Sequence, residues 1–177
     1  MNIKLIFGSD TGNTDYVVDT YIINMLDPFE VDVTEVHKLK PEDWDTDSLI
    51  ILGIPTWYDG ELQSDWEDYF EEFKQIDFSG KTVALFGLGD QIGYSEFFVD
   101  GIGILAEVVL KNGGNIIGHW PREGYDFDES KGLMNEEYFY GLAIDEDNES
   151  DLTFQRVEKW VEQIKLEFQP KVSSVMN

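Results

Sequence analysis

Ser9-Asp10-Thr11-Gly12-Asn13-Thr14, read S-D-T-G-N-T, follows the short apolar run Lys4–Phe7 and a break at Gly8. An apolar run of that length, bounded by glycine, reads as a buried strand. Beyond the six residues, Val17 or Val18, Tyr21 or Ile22, and Met25 or Leu26 recur at helical spacing until Asp27-Pro28 ends the segment. The stretch therefore lies where a strand gives way to a helix. Ser9, Thr11 and Thr14 bring hydroxyls and Gly12 an open backbone. With the N–H groups of a helix start and its partial positive field, they make a donor set suited to phosphate. A turn of this composition is also an ordinary helix cap, so its place after the first strand is what favours a ligand. The missing Lys-Ser or Lys-Thr pair argues against a nucleotide-hydrolysing P-loop.

Outward from that turn, strands and helices continue to alternate. Val31 and Val33 alternate with acids as a second strand, and Leu49–Ile54 is continuously apolar, as a strand covered on both faces would be. Pro55-Thr56-Trp57-Tyr58-Asp59-Gly60 is then a loop at the carboxyl end of that strand. Trp66, Tyr69 or Phe70, and Phe73 fit a helix, and Thr82–Phe86 fits a fourth strand followed by the loop Gly87–Tyr94. Phe98, Ile102, Leu105 and Val109 carry another helical stripe, weakened by Gly101 and Gly103, before a fifth strand at Ile116-Ile117. The pattern dissolves between Gly118 and Gly141 and resumes at Leu142-Ala143-Ile144, so an insertion is expected to interrupt the last strand. Asp151 is placed to cap a final helix with the stripe Phe154, Val157, Val161, Ile164 and Phe168, and Pro170 onward reads as a loose tail. The expectation is one α/β domain over 1–169: a parallel sheet with helices on both faces. Ligands of such sheets bind beyond the carboxyl ends of the strands, where strand order reverses, so the loops 9–14, 55–60 and 87–94 are the candidate site.

Composition narrows the chemistry. The chain of 177 residues has no cysteine, which removes disulfides, thiolate metal sites and cysteine nucleophiles, so any redox chemistry needs a borrowed cofactor. Its 12 basic against 37 acidic residues give a net charge of −25, which repels nucleic acid and favours basic protein partners. With 42% apolar and 14% aromatic residues the chain can still build a core, and the acid is mostly surface. The first apolar run is far shorter than the ~20 residues of a membrane span, and the reading is a soluble cytoplasmic protein. Asp145-Glu146-Asp147-Asn148-Glu149-Ser150-Asp151 lacks the glycine and distant glutamate of a calcium loop and reads as an acidic solvated turn; no metal site is expected. His37 and His119 read as surface or core-edge residues.

Trp57 and Tyr94 stand in polar, glycine-containing loops rather than on a periodic stripe. Two such rings on one rim can bracket a flat heterocycle, each offset stack adding ~0.5–1.5 kcal/mol beyond area burial. Taken together, S-D-T-G-N-T, P-T-W-Y-D-G-E-L-Q-S-D-W from Pro55, and G-L-G-D-Q-I-G-Y from Gly87 resemble the flavodoxins. The interruption after Gly118 and the W-P-x-E-G-Y stretch from Trp120 to Tyr125 are similar to the long-chain bacterial type.

That resemblance implies a flavodoxin-like doubly wound sheet of order 2-1-3-4-5, one non-covalently bound FMN, and the shuttling of single electrons at low potential. The implied partners are redox proteins with basic faces, such as a flavodoxin/ferredoxin-NADP reductase and an electron-accepting enzyme, met by a monomer. By position, Ser9, Thr11, Gly12, Asn13 and Thr14 would hold the phosphate, Thr56 next to Pro55 would serve the ribityl side, Trp57 and Tyr94 would sandwich the ring, and Leu88, Gly89 and Asp90 would line its pyrimidine edge. The peptide from Tyr58 to Asp59, before Gly60, would be the one that turns toward the central ring. Asp59 holds a place where glycine would relieve positive φ, and Asp10, inside the phosphate loop, is expected to face solvent. The alternative on the same fold is an FMN-dependent reductase of quinones, which would need an open flavin face and cations for a nicotinamide donor.

Overall fold

The computed structural model describes residues 1–168; the expected loose segment from Pro170 lies outside the described residues. The first strand, β1 (Asn2–Phe7), sits between β2 (Glu30–Glu35) and β3 (Leu49–Trp57), and pairs with both in parallel. A two-residue β4 (Glu61–Leu62) folds back antiparallel on Thr56 and Trp57, and β5 (Thr82–Leu88) lies parallel to the far side of β3. The fifth position is shared. β6 (Asn115–Ile117) pairs with Thr82–Ala84 at the start of β5. After an excursion that contains the antiparallel pair β7 (Trp120–Pro121) and β8 (Tyr138–Phe139), β9 (Leu142–Ile144) pairs with Phe86–Leu88 at its end. The interrupted last strand is thus as read from the sequence, and the order of the five positions is 2-1-3-4-5.

Strand periodicity builds two cores. Leu49 and Ile51 point to one face of the sheet, with Ile3, Leu5, Ala84 and Phe86, while Ile50, Leu52 and Ile54 point to the other with Val83 and Leu85. The first face is covered by the helix that follows β1 and by α5 (Thr153–Glu167), the second by α3 (Ser64–Phe73) and α4 (Asp100–Lys111). Trp66, Trp160 and Phe73 are fully buried there, each of the order of 1.5–3 kcal/mol in apolar transfer.

The helix after β1 departs from the single stripe expected of it. It runs as α1 (Asn13–Val17), a π-turn over Val18–Ile22 and α2 (Ile23–Leu26). The wider turn shifts the register, so Val17 and Val18 are both buried and Ile22 and Leu26 continue the face. In the final helix two expectations fail. Asp151 lies in a 3-10 turn (Ser150–Leu152) and does not cap α5, and Phe154 is exposed, with Thr153, Val157, Trp160, Val161 and Ile164 facing the core. Phe154 instead meets the edge of Tyr21, at 6.2 Å between ring centroids.

The insertion adds to the core on the second face. Tyr125, Phe127 and Phe139 gather around Phe98, with ring centroids 5.2–6.0 Å from it. Gly103, which weakened the helix from sequence, is what admits this packing: a Cβ there would stand 1.9 Å from the Lys131 carbonyl oxygen. Among the described residues no helix is long and apolar enough to cross a membrane.

Candidate functional site

Strand order reverses between β1 and β3, and a cleft of about 350 Å³ opens beyond their carboxyl ends and that of β5. From the first loop it is lined by Ser9, Asp10, Thr11, Asn13 and Thr14; from the second by Pro55, Thr56, Trp57 and Tyr58; and from the third by Leu88, Gly89, Asp90 and Tyr94. Gly12, Asp59 and Gly60, also expected at the site, stand behind this lining and shape its turns.

The first turn is held by its own backbone. Gly12 takes φ 87°, a left-handed conformation that favours glycine, and its N–H donates to Ser9 Oγ at 3.1 Å. Its carbonyl accepts from Tyr16 N at 2.8 Å, which starts the helix, yet no side chain caps that helix start. The amino-end N–H groups therefore remain available with their partial positive field. Thr14 is 1% exposed, and its Oγ1 has no hydrogen-bond partner among the described residues. A buried hydroxyl left over in this way costs free energy unless a ligand meets it.

Asp10 is exposed, as expected, but fixed. Its carboxylate accepts from Gln63 Nε2 at 2.8 Å and from the Ser64 hydroxyl and N–H at 2.6 and 3.3 Å. Partial burial pulls its pKa up, but the hydrogen bonds from Ser64 and Gln63 outweigh it and hold the carboxyl below the usual range. It is thus tied to the start of α3.

The second loop is shorter than the sequence indicated, because β3 continues through Pro55, Thr56 and Trp57 and returns in β4. Thr56 Oγ1 accepts from Gly101 N at 2.9 Å, which leaves its O–H free to donate. Trp57 Nε1 is a second buried donor without a partner among the described residues. Positive φ falls on Tyr58 (40°) and Gly60 (82°), not on Asp59. Closing the hairpin on Trp57 and Glu61 puts the left-handed turn one residue earlier than expected. The Tyr58 ring is 58% exposed, lying 5.8 Å from Trp57 and 6.4 Å from Tyr94 between centroids.

The third loop begins after Leu88, where β5 ends, rather than at Gly87. Asp90 Oδ1 accepts from Ile92 N, Gly93 N and Asn148 Nδ2 at 3.0, 2.6 and 2.8 Å. Burial raises the Asp90 pKa, but those hydrogen bonds prevail and the carboxyl stays below its ordinary range. Gln91 is buried behind the loop.

Two lining residues, Glu146 and Asp147, were not anticipated. They belong to the acidic run read as a solvated turn. The available signal was position, since the run follows β9, whose carboxyl end reaches the same rim. Nor is the run wholly solvated: Asp145 is fully buried and accepts from Asn148 N at 3.0 Å and Asp147 N at 3.1 Å. Asp10, Asp90, Glu146 and Asp147 are the only formal charges among the described residues lining the cleft. The site combines neutral donors at one end, aromatic surface in the middle and an acidic rim.

The sequence profile described as Flavodoxin matches residues 5–160. The flavodoxin of Klebsiella pneumoniae is 48% identical over 162 residues, 92% of this chain and 92% of that protein. That of Synechocystis sp. is 46% identical over 163 residues, 92% of this chain and 95% of its own. Among solved structures, Fusobacterium nucleatum flavodoxin bound to flavin mononucleotide aligns with TM-score 0.89 at 33% identity, covering 95% of this chain and 99% of that one. Oxidised Flavodoxin 2 from Bacillus cereus aligns at TM-score 0.69 and 27% identity over 95% of this chain and 100% of that one.

Proposed function

The chain belongs to the flavodoxin family, and on that premise we propose how its cleft works. The protein is an FMN-based electron carrier that passes electrons between redox proteins, not a catalyst with a substrate of its own. FMN supplies a flavin ring that takes up and releases electrons singly.

The residues present fit that group. The observation that carries the reading is the pair of buried donors, Thr14 Oγ1 and Trp57 Nε1, left without partners among the described residues on two residues that line one cleft. Ser9, Thr11 and Thr14, with the Asn13 N–H and the Gly12 backbone that shapes the turn, would bind the phosphate, and the Thr56 O–H would serve the ribityl chain. Trp57 and Tyr94 stack on the ring and exclude water from it, while Leu88, Gly89 and Asp90 line its pyrimidine edge. The Tyr58–Asp59 peptide, which follows the left-handed Tyr58 one residue past Trp57, would be the one that turns toward the central ring. Neutral donors leave the phosphate charge uncompensated in a protein of net −25. Further negative charge on the flavin is therefore unfavourable, and the second electron enters at low potential.

The acidic rim supports basic-faced partners, such as a reductase that feeds electrons in and an enzyme that accepts them, steered by charge. The same charge favours a monomer through self-repulsion. A quinone reductase using a nicotinamide donor would need cations for the donor's phosphates, and the cleft lining has none among the described residues.

Anaerobic reductive titration followed by absorbance tests the reading. The expected result is a yellow protein with one FMN per chain, reduced in two separate one-electron steps with the second at lower potential. A colourless protein that takes up no FMN would overturn it, as would rapid oxidation of a nicotinamide in the presence of a quinone.

A further inference from the structure

Gln91 is 2% exposed and lies outside the cleft lining, yet every hydrogen-bonding atom of its side chain is used. Its Nε2 donates to Asp145 Oδ2 at 2.8 Å and to Glu149 Oε1. Its Oε1 accepts from Asp126 N at 2.6 Å, and its backbone N–H reaches Asp145 Oδ2 at 3.2 Å. One amide therefore joins three segments: the loop that carries Tyr94, the insertion at Asp126, and the acidic run after β9.

The surroundings reinforce the junction from both sides. Arg156 of α5 donates to Glu149 at 3.2 Å, and its Cζ lies 4.2 Å from the centre of the Tyr125 ring, which belongs to the insertion. Past Tyr94 the insertion grips the same loop again. Ser95 Oγ donates to Asp128 at 2.6 Å, the Ser95 carbonyl accepts from Asp128 N and Glu129 N at 2.9 and 3.0 Å, and Lys131 N donates to Asp100 at 2.7 Å. Tyr94, itself 43% exposed, thus sits on a span fastened to the insertion on both sides.

We propose that the insertion is the frame that positions the Tyr94 loop over the cleft, and that Gln91 is the positioning residue through which it acts. The inference rests on the reading of Tyr94 as a wall of the flavin site. It assigns the insertion a task at the cofactor, although no residue between 118 and 141 lines the cleft. An amide held by two carboxylates makes charge-assisted hydrogen bonds, and a half-satisfied buried network is worse than an apolar one. The junction therefore has one good arrangement, and that arrangement fixes the loop.

Gln91→Met keeps length and bulk but removes the side-chain hydrogen bonds; Gln91→Glu keeps shape but sets a third carboxylate against Asp145 and Glu149. Each is compared with wild type in the full chain for FMN affinity, by quenching of flavin fluorescence, for the potential of the second reduction step, and for melting of the FMN-free protein. The expected result is FMN binding weakened about ten- to hundredfold in Gln91→Met and further in Gln91→Glu. The second potential should move in the same direction as in Tyr94→Ala. The sharper readout is a double-mutant cycle: in a Tyr94→Ala background Gln91→Met should cost little more, because its effect passes through that ring.

Additive effects would overturn the proposal, as would unchanged FMN binding in Gln91→Met, expected if Gln91 merely fills space. Loss of fold in both FMN-free variants would do the same in favour of a core role. Wild type that takes up no FMN removes the functional reading; wild type that binds while both variants match it removes only this inference.

Discussion

In the turn from Ser9 to Thr14 a buried hydroxyl has no partner among the described residues and a helix start has no side-chain cap, whereas in the loop from Asp90 to Tyr94 the side chains of Asp90 and Gln91 are occupied within the protein. The two loops line the same cleft. One offers a ligand what folding left over; the other offers a surface whose shape folding has already settled. A donor that is to hold a phosphate must stay unmatched, so its contribution to binding is separable from the stability of the empty protein. A wall that is to hold a ring must be matched, so its contribution to binding is not separable.

The largest expected effect breaks the comparison at the first loop. Thr14→Val keeps shape and removes the hydroxyl, and should lose about 1.5–3 kcal/mol of FMN affinity, the worth of a hydrogen bond to a charged group. The FMN-free protein should be as stable as wild type or more so, since a buried unpartnered hydroxyl has gone. Titration calorimetry with urea unfolding of the empty protein measures both. Empty protein weakened by more than about 1 kcal/mol would mean that the hydroxyl serves the fold.

Asp90→Ala is the matching change at the other loop and should behave oppositely. Ile92 N and Gly93 N lose their acceptor, so the empty protein itself should lose about 1–2 kcal/mol, with FMN affinity falling alongside. The carboxyl has a depressed pKa in the fold, so its contribution is present above the ordinary value of 3.8 and is lost as pH falls below it through the folded value. Asp90→Asn should accordingly flatten part of the acid side of the stability–pH curve, measured by urea unfolding between neutral and acid pH. An unchanged curve would assign the acid dependence to other carboxylates, such as Asp10 or Asp43, which hydrogen bonds also depress.

The same contrast governs how much could be read from sequence. The candidate phosphate turn was legible because its hydroxyls and glycine fall within six consecutive residues, and the fold was legible because Leu49–Ile54 and its neighbours carry apolar runs of strand length. Trp57 and Tyr94 were legible as aromatic residues out of register with any stripe. What stayed hidden depends on distant partners. Glu146 and Asp147 reach the cleft only because β9 resumes beside β5. The left-handed backbone falls on Tyr58 because β4 returns to pair with Trp57. Asp151 has the chemistry of a helix cap, but the chain makes a 3-10 turn before α5 starts, and Phe154 fits the spacing yet lies on the outward side of Thr153.

Stacking gives the next, smaller effect. Trp57→Ala or Tyr94→Ala opens the flavin to water, where a negative charge on the ring is better solvated, so the potential for full reduction should rise in both. With ~0.5–1.5 kcal/mol per aromatic contact, the shift should be on the order of tens of millivolts. Redox titration showing no change in either variant would contradict the stacking assignment. A shift for Trp57 alone would sharpen the contrast, since the Tyr94 wall would then act through shape rather than solvent exclusion.

The smallest effect separates the two loops without any mutation. On the proposed reading FMN would engage both the phosphate turn and the aromatic and rim surfaces, while riboflavin, which lacks the phosphate, would engage only the latter. The formal charges lining the cleft among the described residues are acidic. Burial raises the pKa of Asp15 behind the turn, and repulsion from Asp19 and Glu35 raises it further. With hydroxyl and N–H donors and no cation lining the cleft among the described residues, the phosphate meets short-range hydrogen bonds against long-range repulsion. Salt screens the repulsion, as the Debye length falls from ~30 Å at 0.01 M to ~8 Å at 0.15 M, and leaves the contacts untouched. FMN affinity should therefore rise with ionic strength, by about two- to fivefold over that range, while riboflavin affinity stays flat. Calorimetry of the two ligands across the salt series measures the difference. If FMN affinity instead falls with salt, a cation neutralises the phosphate, and the account of Ser9–Thr14 as a cradle of neutral donors fails.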